Sequence, residues 1–208
     1  RGLTTLLRGK MPDQTIDNPI INSPFDEPKR HFAFDDNGIT NEIIEGRRVS
    51  EYYVPIPKPR NKGVKQQGFF DGEWQEERRK EYETINKIRL QVFKWRKGGY
   101  LNITSTTRRL LEYWTREGRE RRLYFCQIEA VETAIYITEV AKTYGDSWIE
   151  KEIINQNELA NQSIYRMAFK MATGSGKTLV MAMLITWQVL NKVANPRDTR
   201  FSDAFLVV

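Results

Sequence analysis

The sequence predicts an α/β fold containing the first part of a parallel sheet. Three observations support this prediction. The apolar run 164–171 has the composition of a strand, the glycine-rich stretch MATGSGKT (Met171 to Thr178) follows it directly, and apolar residues within 179–190 recur at helical spacing. A second apolar run, 204–208, predicts a further strand. This order of strand, loop, helix and strand is typical of parallel sheets covered by helices.

The glycine-rich stretch has the chemistry of a phosphate-binding loop. Gly174 and Gly176 lack a Cβ, so the backbone N–H groups of 174–178 can converge on one anion at a helix N-terminus, whose dipole also favours negative charge. Lys177 is placed to reach the β- and γ-phosphates, and the Thr178 hydroxyl suits Mg²⁺. We therefore expect ATP and Mg²⁺ as cofactors, with Lys177 and Thr178 as catalytic residues and Thr178 as the metal ligand. The expected nucleotide-binding residues of the loop are Thr173, Gly174, Ser175, Gly176, Lys177 and Thr178.

The loop departs from the strict eight-residue pattern at its first position, where Met171 replaces glycine. A plainer interpretation is a Gly-Ser-Gly turn followed by Lys177 and Thr178 by chance. The strand and helix predicted on either side favour the nucleotide site, because the motif carries meaning only in that context.

Gln127 is a candidate for reading the adenine base. It lies fifty residues before Lys177, at the start of a predicted helix and just after Tyr124 and Phe125. A glutamine amide can pair with both the N6 donor and the N7 acceptor of adenine, and a neighbouring aromatic ring can pack on the base. The alternative is a helix-capping glutamine beside core aromatics.

The charge balance fits a polyanionic partner without requiring one. The formal net charge is +6 and the pI is about 9.4. Six arginines fall within 108–122, against Glu112, Glu117 and Glu120. Phosphate contact and a solvated helix face both account for this run.

Cysteine content and hydropathy favour a cytoplasmic protein. The single cysteine, Cys126, excludes an internal disulfide and a cysteine-based zinc cluster, and we expect it to be a small core residue. No apolar stretch approaches the roughly 20 residues needed to span a bilayer. We therefore expect no membrane partner.

Composition divides the chain into three predicted regions. Residues 1–70 carry seven of the eight prolines and predict an extended arm with short strands and a basic linker near 55–68. The composition of 71–120 predicts a helical region. Residues 121–208 are predicted to form the start of the nucleotide-binding domain. The predicted helices cover Trp74 to Gly98, 108–114 after N-cap hydroxyls at 104–107, 127–144, 147–159 and 179–190.

A nuclease site in the arm is rejected. Pro12-Asp13 and Glu27-Pro28-Lys29 formally fit a spaced nuclease pattern, but Pro24 and Pro28 break the rigid strand that the metal chemistry needs. The Asp35–Gly38 stretch predicts a turn, and His31 stands without a metal set or a triad.

Longer stretches resemble a known family. INSPFDEPKRHF (21–32), GITNEIIEGRRVSEYYVPIP (38–57), TTRRLLEYW (106–114), FCQIEAVETAIYITEVA (125–141) and FKMATGSGKTLVMAMLITWQVLNK (169–192) together resemble the N-terminus of superfamily 2 helicase-like proteins of the DEAD/DEAH-box group, specifically type III restriction enzyme Res subunits. The resemblance implies a RecA-like P-loop NTPase domain in a two-lobed, ATP-driven DNA translocase, with Gln127 as adenine reader and Gly174–Thr178 as phosphate and Mg²⁺ site. It also implies double-stranded DNA and a modification-methyltransferase subunit as partners, and a nuclease or other effector further along the chain.

The expected activity is ATP hydrolysis in a longer parent protein. Hydrolysis needs a second acidic strand end and an arginine finger, and the sequence predicts neither here, so we expect an N-terminal part that lacks the remaining catalytic motifs. Two alternatives stay open. One is a DNA-binding or scaffold module whose nucleotide site regulates conformation without driving movement, and the other is a P-loop kinase.

Overall fold

The structure is a computed structural model that describes residues 18–35, 38–53, 79–160 and 165–207. Its internal contacts divide the chain into two units, each considered by itself. The hairpin unit contains residues 27–48 together with flanking segments. The helical unit contains 24–26, 49–52 and everything described from 81 onward. The expected linker at 55–68 and the Pro12-Asp13 pair lie outside the described residues.

The hairpin unit is built on two antiparallel strands, β1 (Arg30–Asp35) and β2 (Gly38–Glu45). Arg30 pairs with Glu45 and Asp35 with Gly38, and an irregularity in the register falls between Phe32 and Phe34. The expected short strands in the proline-rich arm are therefore confirmed here. Two further strands, β3 (Glu51–Tyr53) and β4 (Arg79–Glu81), form a second two-stranded sheet.

The helical unit contains most of the described chain. Its helices are α1 (Glu83–Lys97), α2 (Ser105–Thr115), α3 (Phe125–Ile135), α4 (Ser147–Ala160) and α5 (Lys177–Ala194). A π-helical turn, Tyr136–Val140, continues α3 and is closed by a hydrogen bond from the Ala141 N–H to the Tyr136 carbonyl.

Local sequence accounts for where these helices begin and end. The Thr104 Oγ1 accepts a hydrogen bond of 3.0 Å from the Thr107 N–H, which caps α2 as its hydroxyl cluster predicts. Gly99 follows α1 with φ +82, a left-handed conformation that favours glycine. The predicted helices 108–114, 147–159 and 179–190 are confirmed, each with slightly wider bounds.

One apolar core joins the five helices. Its buried members come from every helix, from the π-helical turn and from the loops between them: Ile88, Val92, Trp95, Leu110, Leu111, Trp114, Leu123, Ala130, Val131, Ala134, Ile135, Tyr136, Val140, Ala141, Ile149, Val180, Met183, Trp187 and Phe201. Burial of this kind contributes about 25 cal/mol per Å² of apolar surface removed from water. The core therefore packs α1 to α4 together with α5, the helix that follows the glycine-rich loop.

A buried carboxylate lies inside this core. Glu139, in the π-helical turn, is 4 % exposed. Its carboxylate accepts hydrogen bonds from the Thr107 hydroxyl at 2.6 Å, the Trp187 indole N–H at 2.8 Å and the Thr104 N–H at 2.8 Å. The Asn191 amide donates to the Thr107 Oγ1 at 2.9 Å. These bonds connect α2, the π-helical turn and α5, and we call them the Glu139 network.

A second cluster of polar side chains connects α1 to α3 by hydrogen bonds. The Arg96 guanidinium donates to both carboxylate oxygens of Glu132, with its Nε 2.9 Å and its Nη2 2.6 Å from Oε2, and Glu132 is fully buried. The Tyr100 hydroxyl donates to the Glu132 Oε1 at 2.5 Å. A bidentate pair with an added donor satisfies a buried carboxylate, which would otherwise be strongly destabilising.

The predicted parallel sheet is wrong. The described residues form only small two-stranded sheets, of which β1–β2 is antiparallel, and helices make up the larger part of the regular structure. The predicted strands 164–171 and 204–208 form no strand in their described residues. A strand is held by hydrogen bonds to its neighbour, and 165–171 instead packs Phe169 and Met171 against the helical core. The α/β, RecA-like assignment is therefore replaced by a helical unit and a hairpin unit.

Three smaller predictions also need correction. The predicted helix from Trp74 begins only at Glu83 in the described chain, because 79–81 forms β4. The predicted helix 127–144 starts at Phe125 and changes to a π-helical turn after Ile135. Cys126 is exposed, so its assignment to the core is wrong.

Replacing Glu139 with alanine should destabilise the helical unit by about 3 kcal/mol or more, because two buried donors and one partly buried donor lose a charged acceptor at once. Chemical denaturation measures the free energy of unfolding. Glu158→Ala, which removes an exposed carboxylate from α4, is the matched control and should stay within about 0.5 kcal/mol of the parent. A loss below about 1 kcal/mol for Glu139→Ala would contradict the role of the network.

Stability should fall at alkaline pH because of a buried tyrosine, Tyr136, and a partly buried one, Tyr100. Burial raises the pKa of Tyr100, with the Glu132 charge adding to it, and burial also raises the pKa of Tyr136, whose hydroxyl donates to Asp146. The folded state therefore keeps protons that the unfolded chain releases near its ordinary pKa of about 10. Their contribution is present below that pH and lost as pH rises above it.

Tyr100→Phe should flatten the decline in the free energy of unfolding above about pH 10, measured by denaturation at a series of pH values. Tyr113→Phe, which alters a tyrosine that is 51 % exposed, is the control for removal of a tyrosine hydroxyl. Equal slopes in the parent and in Tyr100→Phe would disprove this linkage.

Candidate phosphate-binding site

The glycine-rich loop folds as a tight turn that enters α5. Gly174 has φ +77, and Gly176, the residue that caps α5, has φ +79. Both values lie in the left-handed region, where a residue with a Cβ costs about 1–2 kcal/mol. The Ser175 N–H and hydroxyl both donate to the Ala172 carbonyl, at 3.3 Å and 2.6 Å, which closes the turn.

Several backbone N–H groups at this turn have no backbone acceptor in the described chain. Among the described residues, the N–H groups of Gly174, Gly176, Lys177 and Thr178 have no backbone acceptor, whereas the Leu179 N–H already bonds to the Gly176 carbonyl. The first amides of a helix always lack a partner within the helix. A Cβ built on Gly174 would meet nothing within 4 Å, so space lies open beside the loop.

The Lys177 ammonium points back over the loop. Its Nζ donates to the Ala172 carbonyl at 2.9 Å and to the Met171 carbonyl at 3.2 Å, and the residue is exposed. These carbonyls hold the charge next to the amides that lack a backbone acceptor. The sequence indicates Lys177 as a loop residue but not its two carbonyl partners, because any main-chain oxygen can accept such a bond.

The Thr173 and Thr178 side chains are also exposed at the loop. Thr178 lies in the first turn of α5, and no hydrogen bond of its hydroxyl is found among the described residues. The hydroxyl is therefore accessible to a metal ion. The described residues hold no group of three or more His, Cys, Asp or Glu side chains that could bind a metal by themselves.

Gln127 lies against the loop and is 4 % exposed. Its Oε1 accepts from the Tyr124 N–H at 3.0 Å, and its Nε2 donates to the Ser175 carbonyl at 2.9 Å. A Cβ added to Gly176 would lie 2.3 Å from the Gln127 Nε2. Gly176 is therefore required for two reasons, its backbone conformation and the close approach of this amide.

The capping alternative for Gln127 is thus present in the structure, since its oxygen caps the first turn of α3. Adenine recognition stays a prediction, and it would require the amide to exchange partners. Tyr124 packs on Phe25, with ring centroids 5.5 Å apart, and the Arg96 guanidinium lies 5.1 Å from the Phe125 ring. Both aromatic candidates for base stacking therefore have protein neighbours.

The segment before the loop is held by Asn157 of α4. The Asn157 Nδ2 donates to the Arg166 carbonyl at 2.9 Å, and its Oδ1 accepts from the Arg166 N–H at 3.1 Å. One side chain thus satisfies the two backbone groups that a neighbouring strand would satisfy. The sequence carries no signal for this role, because asparagine is common on helix surfaces.

Comparison of the chain with protein-family models, with curated proteins and with solved structures gives no match. The resemblance to restriction Res subunits is therefore carried by the sequence motifs alone. Within the described residues, no helix combines the length and apolar character needed to cross a membrane.

Alanine at Gly176 should destabilise the helical unit more than alanine at Gly174. Both substitutions meet the left-handed penalty of about 1–2 kcal/mol, but only the Gly176 Cβ collides with the Gln127 amide. The free energies of unfolding of both single variants, measured by chemical denaturation, give the comparison.

The Gln127→Ala background supplies the control. Removing the amide should reduce the cost of Gly176→Ala to that of Gly174→Ala, since the collision is gone while the backbone strain remains. If the difference between the two glycine variants persists in this background, the contact between Gln127 and Gly176 is not its cause.

Proposed function

We propose that the loop of residues 171–178 binds the phosphates of ATP, and that the chain is the ATP-binding N-terminal part of an ATP-dependent DNA translocase or helicase of the type III restriction kind. The observation that supports ATP binding is the set of amides at Gly174, Gly176, Lys177 and Thr178 that lack a backbone acceptor in the described chain. They lie at the N-terminus of a helix of 18 residues. Amide donors and a helix dipole together favour a bound phosphate.

The charges around the loop support the same proposal. The Lys177 ammonium donates to two loop carbonyls. Because the lysine is exposed and both acceptors are neutral, the ammonium can move to a bound anion at little cost in free energy. Thr178 follows it with an accessible hydroxyl, as a Mg²⁺ ligand next to a phosphate requires. Gln127 links the same loop to α3 through the Ser175 carbonyl.

The translocase part of the proposal draws on the sequence motifs. ATP with Mg²⁺, when bound, supplies the phosphoanhydride whose hydrolysis drives movement along DNA. In this proposal Lys177 and Thr178 act directly on the nucleotide, and Gln127 recognises its base. The partners are double-stranded DNA and a modification-methyltransferase subunit.

Replacing Lys177 with alanine should weaken binding of a fluorescent ATP analogue at least about 10-fold, because a charge-assisted hydrogen bond to phosphate is lost. Lys170→Ala is the matched control, since it removes one exposed positive charge just before the loop. Equal weakening in both variants would show that general charge attraction, and not the loop, binds the nucleotide.

ATP turnover of the complete protein with and without duplex DNA separates a motor from a regulatory site. The proposal requires that duplex DNA raises the rate and that Lys177→Ala abolishes the increase. An unchanged rate together with intact ATP binding would leave a regulatory nucleotide site and remove the translocase.

A further inference from the structure

We infer that the end of α2 and the loop that follows it form a phosphate-backbone contact surface for nucleic acid, made of Arg109, Arg116, Arg119 and Arg121 together with Tyr113. We call this set the arginine patch. The inference rests on the proposed function only for naming DNA as the polyanion. Its charges lie outside the nucleotide-binding loop.

The arginine patch lies in a stretch that keeps a net positive charge, because its arginines outnumber its glutamates. Residues 108–122 contain six arginines and three glutamates, a formal charge of +3. Arg122 is paired with Asp26 at 3.0 Å, and Arg108 donates to the Tyr100 carbonyl at 2.9 Å. The other four arginines have no ion pair among the described residues, although Glu112 and its neighbours share the same stretch.

Tyr113 gathers two of these charges in one place. The Arg116 guanidinium carbon lies 4.8 Å and the Arg119 guanidinium carbon 5.2 Å from the centre of the Tyr113 ring. Attraction between a cation and a ring is worth about 0.5–1 kcal/mol at exposed sites. Both guanidinium groups therefore lie against the same ring, and a bound anion would offset the repulsion between their like charges.

Arg119 has an unused donor as well. Its Nη1 is shielded from solvent and has no hydrogen-bond acceptor among the described residues. A shielded donor without a partner is costly, so such groups are rare in folded proteins. The surrounding positive charge favours a bound anion as the source of the missing acceptor.

The chemistry of the patch fits phosphodiesters in particular. Guanidinium groups present several N–H donors in a plane and bind phosphate oxygens in pairs. Four arginines offer more N–H donors than one small anion can accept, which suits successive phosphates along a strand. Contacts of this kind set affinity and salt dependence and carry no sequence preference.

The test compares two double variants of the 208-residue chain in fluorescence anisotropy with a short labelled duplex and with the corresponding single strand. R116Q/R119Q removes two charges from the patch. K142Q/K151Q removes two exposed charges elsewhere in the helical unit and is the control. The circular dichroism and thermal unfolding of each variant show that it is folded.

The patch variant should bind DNA about 10-fold more weakly, and the slope of log affinity against log salt should fall by about two, one for each phosphate contact removed. The control should keep the parent slope. Equal losses in the two double variants would overturn the inference, because they would show attraction by net charge alone. The form of DNA, duplex or single strand, whose affinity falls more in R116Q/R119Q is the form that contacts the patch.

Variants of Tyr113 test how the ring supports the patch. Tyr113→Phe keeps the ring and should retain DNA affinity, whereas Tyr113→Ala should lower it, because the two guanidinium groups lose the surface on which they pack. Equal affinities for the parent and Tyr113→Ala would contradict this part of the inference.

Two measurements separate nucleic acid from a lipid surface, and the patch from the nucleotide site. Binding to phosphatidylserine vesicles that depends on the patch, with no binding to DNA, would overturn the nucleic-acid assignment. R116Q/R119Q should lower DNA affinity and leave binding of the fluorescent ATP analogue at the parent value, so failure of the nucleotide site and failure of the patch give different results.

Discussion

The helical unit depends on a carboxylate that is buried with neutral partners. Glu139 receives its hydrogen bonds from a hydroxyl, an indole and a main-chain amide, which come from two other parts of the unit. Several donors around one carboxylate offset the loss of hydration that burial causes. Because each donor is directional, the network sets the position of α2 and α5 more narrowly than apolar packing does.

The candidate nucleotide site lies at the other end of a helix that this network holds. α5 begins at the glycine-rich loop with Lys177, and its later turns contribute Trp187 and Asn191 to the Glu139 network. Gln127 adds a contact at the loop itself through the Ser175 carbonyl. The loop is thus supported from α3 and from its own helix, and the amides of its turn stay open to an anion.

The arginine patch belongs to the same framework. α2 supplies Thr107 to the Glu139 network from its first turn and carries Tyr113 near its end. The helix that carries Arg109 and Tyr113 and the helix that follows the glycine-rich loop are therefore both hydrogen-bonded to one carboxylate. A polyanion at the patch and a nucleotide at the loop would act on elements that share a buried anchor.

Local patterns in the chain were enough to predict the helices with clear periodicity, the Thr104 cap and the turn at the glycines of the loop. Whether the apolar runs 164–171 and 204–208 form strands depended on tertiary packing. Side-chain spacing, capping hydroxyls and the conformational freedom of glycine act within a few residues. An extended apolar segment becomes a strand only when a neighbour pairs with it, and here Phe169 and Met171 pack on the helical core while Asn157 takes the backbone groups of Arg166. The hydroxyl and indole that bind Glu139 and the carbonyl that binds Gln127 lie between 32 and 48 residues away along the chain. No local pattern records which distant donor or acceptor a buried polar side chain will meet, because that choice is made by the packing of whole helices.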